Sequence, residues 1–252
     1  MLNHDDFAAA IRRGEVLEGF DLSNVEWDDL PEVKLTMRDC IVQGARFGEA
    51  RLEGAVFERC TFTACKFGAA ELSLAQFKQC SFFDTDEREG CDFFGTELVG
   101  ALFDHCNLSM CRFAGAHLNN SKFVGCKAPG ASFEEARFAR KVGRQSMTGG
   151  ELLDCNLEMA SFRGVELDNC SLEGSNLRSA DLSRASFKDA NLQRTDLSEA
   201  LVSGASFESA DLRGAKLSGL NLRQMTTYQS LKISESEAGA LVRGLGIRVF
   251  PG

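Results

Sequence analysis

The chain has very little of several residue types. Its 252 residues include one Trp, one Tyr, three His and three Pro. No apolar run approaches the roughly 20 residues that a membrane-spanning helix needs, which excludes a helical transmembrane class. The opening Met-Leu-Asn-His-Asp-Asp lacks the basic and apolar regions of a secretory leader, so a cytoplasmic protein is expected. Lys and Arg number 28 against 37 Asp and Glu, net −9. Phosphate contacts need clustered cations, so direct binding of nucleic acid is not expected; binding to a protein that itself binds nucleic acid is compatible. The deficit of positive charge is uneven. Residues 1–90 carry net −8 and residues 151–217 net −5, whereas 91–150 and the tail are each net +2.

Two residue types are abundant: 20 Phe and ten Cys. Ten Cys raise the question of disulfides or zinc, and their spacing answers it. From Leu157 to Leu222 a large apolar residue falls on every fifth position, with a small residue two places before it, as in the consecutive Ala180-Asp-Leu182, Ala185-Ser-Phe187 and Ala190-Asn-Leu192. The same register runs through central residues 42–82, 93–138 and 152–222, thirty-four pentapeptides in all. The centre is Phe or Leu except at Val42, Ala128 and Val202; the earlier position is small except at Val165 and Leu220.

A period of five fits neither a helix nor simple strand alternation. It fits a chain that turns a corner every five residues, so that four sides close a coil of twenty. Successive coils then stack through backbone hydrogen bonds at about 4.8 Å, and stability sums over neighbouring coils. The predicted fold is all-β: a right-handed quadrilateral β-helix over residues 35–233, preceded by a cap and irregular first coil (1–34) and followed by a helix and tail (234–252). In the first part, Phe7 and Ile11 are expected to face inward from a short helix near 5–13, over an extra coil with Leu22, Trp27, Pro31 and Met37. Cys40, Cys60, Cys65, Cys80, Cys91, Cys106, Cys111, Cys126, Cys155 and Cys170 all occupy the small inward position. Chance would place ten residues in one register of five about once in ten million times. They read as small buried hydrophobes, not as metal ligands or nucleophiles. Fifteen of the 20 Phe are centres, hence core and not a stacking platform for bases.

This pattern resembles the pentapeptide-repeat proteins. It breaks twice. Phe83–Gly90 (FDTDEREG) separates centres Phe82 and Phe93, and Ala139–Gly149 (ARKVGRQSMTG) separates Phe138 and Leu152. The first loop is acidic, with Asp84, Asp86, Glu87 and Glu89 against Arg88. The second is basic, with Arg140, Lys141 and Arg144 and no acid. Loops on a rigid scaffold commonly carry function, although surface insertions are also simply tolerated. The stretch CSFFDTDEREGCDFFGTELVGALFDHCNLSMCRF, with Cys106-Asn-Leu108-Ser-Met110, is similar to the first-loop region of the Qnr quinolone-resistance proteins. The tail LKISESEAGALVRGLGIRVF is similar to that family's C-terminal segment. The second loop departs from the family, in which Trp, Phe and Thr are frequent.

The resemblance implies a protein that binds DNA gyrase and topoisomerase IV and protects them from fluoroquinolones, imitating a DNA segment. It makes Phe83, Asp84, Asp86, Glu87 and Glu89 of the first loop candidate contacts, and Arg140, Lys141, Arg144, Gln145 and Met147 of the second. A toxin-neutralising or scaffold protein built on the same rod is the alternative. The imitation has a limit: two rods end to end would carry one net charge per about 5 Å, against one per about 1.7 Å in B-DNA. Charge must therefore be concentrated on one face. His4, His105 and His117 are scattered, no Ser/His/Asp or Cys/His set can assemble around inward-facing thiols, and Gly149-Gly150 lacks the Lys-Ser/Thr of a phosphate loop. No catalytic residue, metal or cofactor is expected. At the C-terminal end, Ser234-Glu-Ser-Glu237 has capping-box spacing, Leu241 and Leu245 share a helix face, and Gly246 can end the helix. With Ile247, Val249 and Phe250 they are candidate contacts of a homodimer that covers the open end of the rod; a monomeric cap is the alternative.

Overall fold

A computed structural model describes residues 4–27, 34–142 and 145–248. In chain order it contains α1 (His4–Arg12), β1 (Val16–Glu18), β2 (Thr36–Arg38), β3 (Ile41–Gln43), β4 (Val56–Glu58), β5 (Thr61–Thr63), β6 (Gln76–Lys78), β7 (Phe83–Asp84) and β8 (Glu89–Gly90). There follow β9 (Leu102–Asp104), β10 (Lys122–Val124), β11 (Ala139–Val142), β12 (Gln145–Thr148), β13 (Glu151–Leu153) and α2 (Glu235–Gly244). One seven-stranded sheet runs β1-β2-β4-β6-β9-β10-β13. Every pairing in it is parallel, with Leu17, Met37, Phe57, Phe77, Phe103, Phe123 and Leu152 in register.

That sheet is one side of a square coil, here called the first face. Isolated parallel bridges carry the column onward from Glu151 to Ser171, Asn191, Asp211 and Lys232. The second face has centres such as Phe62, Phe82 and Leu108, the third Phe67, Phe93 and Phe113, and the fourth Leu72, Leu98, Leu118 and Phe138. The usual step between coils is twenty residues. It lengthens to 26 from Phe77 to Phe103 and to 29 from Phe123 to Leu152, where the two loops are inserted.

Every expected centre is buried, including the exceptions Val42, Ala128 and Val202. The large apolar side chains meet on the axis, so each Phe stacks on the one a coil away: Phe103 lies 4.8 Å from Phe77 and 4.8 Å from Phe123. Neighbouring faces meet edge to face, as Phe57 and Phe62 do at 80°. The buried hydroxyls at small positions are satisfied locally: Thr96 Oγ1 donates to Phe67 O at 2.9 Å, and Ser175 Oγ to Leu152 O at 2.7 Å.

All ten cysteines are free and buried. Cys40, Cys60, Cys80, Cys106, Cys126 and Cys155 stack in one corner column, one per coil. Their thiols reach back to the coil before; Cys106 Sγ donates to Phe77 O at 3.3 Å and Cys126 Sγ to Phe103 O at 3.2 Å. Burial pushes the Cys111 thiol up, and burial together with Asp168 and Glu166 raises Cys170 to about 12. Cys111 and Cys170 are inert thiols.

The N-terminal end is closed as the sequence suggests. Phe7 and Ile11 of α1 are buried, and Phe7 meets Trp27 edge-on at 5.1 Å. Leu22 and Met37 are buried as well, while Pro31 lies outside the described residues. The C-terminal end differs from expectation in two respects. Ser234 occupies the N-cap of α2 but makes no side-chain cap; its Oγ accepts the backbone N–H of Gly214 at 2.8 Å, one coil away, so the capping box does not form. Leu241, expected at a dimer contact, is 3% exposed and belongs to the rod's own core, with Leu245 half-buried against it. The helix does end at Gly246 (φ +81°), whose N–H donates to Arg243 O while Ile247 N–H donates to Val242 O. Arg223 Nη2 donates to Leu245 O at 2.6 Å, fixing the helix end to the last coil.

Candidate functional site

Both interruptions are antiparallel hairpins pinched off from the coil. In hairpin 1, Phe83 pairs with Gly90 and Asp84 with Glu89, and Cys91 N–H donates to Phe82 O at 2.9 Å across the base. Asp84 Oδ1 accepts the N–H groups of Asp86 at 2.9 Å and Glu87 at 3.2 Å, so this carboxylate holds the turn. Asp86, Glu87 and Glu89 are left exposed, and Phe83 is half-buried. Gly90 is required by packing: a Cβ there would stand 2.3 Å from Cys111 N and 2.5 Å from Ser109 O.

Hairpin 2 is longer: Ala139 pairs with Thr148, Arg140 with Met147, Lys141 with Ser146 and Val142 with Gln145. Arg144 lies outside the described residues, as do the side chains of Arg140, Lys141, Gln145 and Met147. Its base is tied by Gly149 N–H to Phe138 O at 3.2 Å and by Asn120 N–H to Gly149 O at 2.7 Å. The buried Asn119 also donates its Nδ2 to Phe138 O at 2.9 Å.

The hairpins do not form one site. Hairpin 1 leaves the corner between the second and third faces; hairpin 2 leaves the corner between the fourth and first, diagonally opposite and two coils on, about 10 Å along the axis. The acidic and basic loops therefore address different sides of the rod.

Some of the charge along the rod is paired between coils. Arg59 meets Asp39 at 2.7 Å, Arg112 meets Asp92 at 2.8 Å, Lys122 meets Glu151 at 2.9 Å and Lys216 meets Asp196 at 3.2 Å. Such exposed pairs add about 0–1 kcal/mol each, and each neutralises its charges locally. The fourth face keeps an excess: Glu53, Glu71, Glu97, Glu166, Asp168, Asp189 and Glu208 against Arg51, Arg137 and Lys188. Beside the root of hairpin 2 it forms a concavity of about 710 Å³ lined by Ser73, Glu97, Val99, His117, Asn119, Arg137 and Ala139. There His117 is held on both ring nitrogens, Nδ1 to Glu97 Oε1 at 2.5 Å and Nε2 to Arg137 Nη1 at 3.1 Å. The sequence contains the signal for this row, since residues 97, 117 and 137 are one coil apart; histidine scattering alone hides it. His105, by contrast, is exposed and paired with Asp104. Among the described residues no His/Cys/Asp/Glu group is arranged to hold a metal ion, and no helix is long and apolar enough to cross a membrane.

Family models agree with this geometry. A pentapeptide repeat region matches residues 160–237, and pentapeptide repeats in eight copies match 40–82 and 96–134. The chain belongs to the pentapeptide-repeat proteins. Within that class it is similar to QnrB1, a plasmid-mediated fluoroquinolone resistance protein. Against the full-length QnrB1 structure it is 29% identical, with 82% of this chain and 97% of that one covered and a TM-score of 0.77. A trypsin-treated QnrB1 variant gives 29% identity, 84% and 99% coverage and 0.77; a second gives 26%, 93% and 97%, and 0.69. No curated protein matches the chain by sequence.

Proposed function

We propose that this protein binds the type II topoisomerases DNA gyrase and topoisomerase IV and protects them from fluoroquinolones, acting in the cytoplasm as a rigid protein ligand and not as an enzyme. The observation that carries this reading is the likeness to QnrB1 along nearly all of that chain, at a TM-score of 0.77. The charge distribution supports it. A topoisomerase surface built to hold DNA is cationic, and the fourth face offers it an excess of carboxylates on a straight rod, with hairpin 2 at its edge. Hairpin 1 adds three exposed acids on a second side.

All ten thiols are buried within the rod, out of reach of a substrate, which favours binding over catalysis. A homodimer joined through the C-terminal end remains part of the reading. Tyr228 and Ile247 are exposed there, at 49% and 54%, beside the half-buried Leu231, Ile233 and Leu245; Val249 and Phe250 lie outside the described residues. The test is gyrase supercoiling in the presence of ciprofloxacin, with and without the protein. Restored supercoiling is expected; inhibition unrelieved at every concentration would reject the reading.

A further inference from the structure

Sulfur is the most readily oxidised element in this chain, and the coil sorts it into two environments. Each of the ten thiols is 2% exposed or less, and of the six methionines Met37 and Met225 are buried at 0% and 8%. Met110 and Met159 stand outside, 50% and 66% exposed. Met1 and the side chain of Met147 lie outside the described residues. A thiol must lose a proton before it reacts, and burial opposes that. A thioether has no proton to lose, so access decides its reactivity.

Both exposed methionines turn the corner between the second and third faces, two coils apart, with Gly130 between them. Met110 lies across Gly130, its Sδ 2.5 Å from where a Cβ would stand. The backbone under the sulfur is already committed, because Gly130 N–H donates to Glu158 O at 2.9 Å. It cannot serve an oxygen added to Sδ. A sulfoxide there has to turn to water and lift the side chain off Gly130. The other side of Met110 carries hairpin 1. Gly90, the last residue of the hairpin, sits so close to Ser109 O, the carbonyl carbon of Met110 and Cys111 N that no Cβ fits between them. The Met110 turn is held to the next coil by its N–H, which donates to Pro129 O at 3.0 Å, and by the thioether on Gly130. Oxidation removes the second of these from beneath the foot of the hairpin.

We propose that Met110 and Met159 are the sites at which hydroperoxides modify this protein, and that the sulfoxide at Met110 loosens hairpin 1. In the step, a sulfur lone pair attacks an oxygen of hydrogen peroxide or an organic hydroperoxide. The S–O bond forms as the O–O bond breaks, and the departing oxygen takes the proton and leaves as water or an alcohol. Sulfur loses two electrons and the hydroperoxide gains them. None of this depends on which partner the protein binds.

The test treats the folded protein with limiting hydrogen peroxide and locates each added oxygen by peptide mass mapping with fragmentation. Met110 and Met159 should gain one oxygen each while Met37, Met225 and the thiols stay unmodified. In protein unfolded by urea, Met37 and Met225 should react as well. Oxidation of native Met37 or Met225 as fast as Met110, or consumption of thiols first, would overturn the site. Hydrogen exchange over residues 83–91 is then compared before and after treatment. Several-fold faster exchange is expected, restored by methionine sulfoxide reductases. Met110→Leu removes the sulfur and keeps the contact, as Leu74 at φ 59° already does over Gly100. Its exchange should match untreated wild type and stay unchanged in peroxide, whereas Met159→Leu should still respond. Unchanged exchange in the oxidised wild type, a response that persists in Met110→Leu, or its loss in Met159→Leu would overturn the link to hairpin 1.

Discussion

Phe93 and Phe94 are adjacent in sequence and opposite in environment, which makes them a sharp test of the coil. Phe93 is fully buried. Its ring stacks on Phe67 at 4.6 Å and on Phe113 at 4.8 Å, and meets Phe82 at 5.3 Å and Phe103 at 6.1 Å edge-on. Phe93→Ala removes a ring from the middle of four others in a core that cannot collapse, because the backbone of each coil is hydrogen-bonded on both sides. Truncation of a buried Phe costs about 3–5 kcal/mol, cavity included. Ring contacts of this geometry are worth about 0.5–1.5 kcal/mol beyond burial. A loss near the upper end, about 5 kcal/mol, is therefore expected, a large part of a typical total of about 5–15 kcal/mol. Phe94→Ala should change stability by less than about 0.5 kcal/mol. Urea unfolding followed by circular dichroism measures both. Comparable losses in the two variants, or a loss below about 1 kcal/mol for Phe93→Ala, would refute the register and the axial stacking derived from it.

The other expectations concern thiols, loops, ends and acid. Cys111→Ala should be nearly silent, whereas Cys111→Arg should unfold the rod by burying an unpaired charge; rapid labelling of several cysteines by a thiol reagent in the native protein would contradict their burial. Deleting residues 140–147 should abolish rescue of gyrase and leave the thermal midpoint nearly unchanged, since hairpin 2 lies outside the coil ladder; full rescue by the deletion would reduce it to a tolerated insertion. Ile247→Glu should convert a dimer to monomers in light scattering without lowering the melting point, and a monomeric wild type at micromolar concentration would reject the C-terminal interface. Side-chain hydrogen bonds from Arg59 to Asp39 and from Arg213 to Asp211 hold both carboxyls below the usual range. Groups with depressed folded values stabilise above the unfolded value and lose that contribution as pH falls below about 4. The midpoint should therefore be flat through neutral pH and drop on acidification; a rise in stability on acidification would contradict these pairings.

What the sequence determined by itself is everything that repeats locally. A residue's place in the five-residue period decides whether it faces the axis or water, so the burial of Cys106, Phe103 and even the exceptional Val42 and Ala128 was legible without coordinates. So were the two points where Phe82 and Phe138 lose their successors, because an insertion breaks the period at once. Contacts one coil apart are a different matter. Whether Ser234 caps its own helix or accepts from Gly214, twenty residues earlier, depends on which donor the closed coil brings nearer, and the local motif cannot weigh the two. Leu241 carries the apolar pattern of an interface, yet it is buried in the rod's own core, which also includes Leu222 and Met225, and Arg223 ties the end of α2 to the last coil. The diagonal placement of the hairpins exists only after the chain has been wound. The two insertions lengthen one coil by six residues and another by nine. Only parallel hydrogen bonding between coils fixes which face each later residue joins.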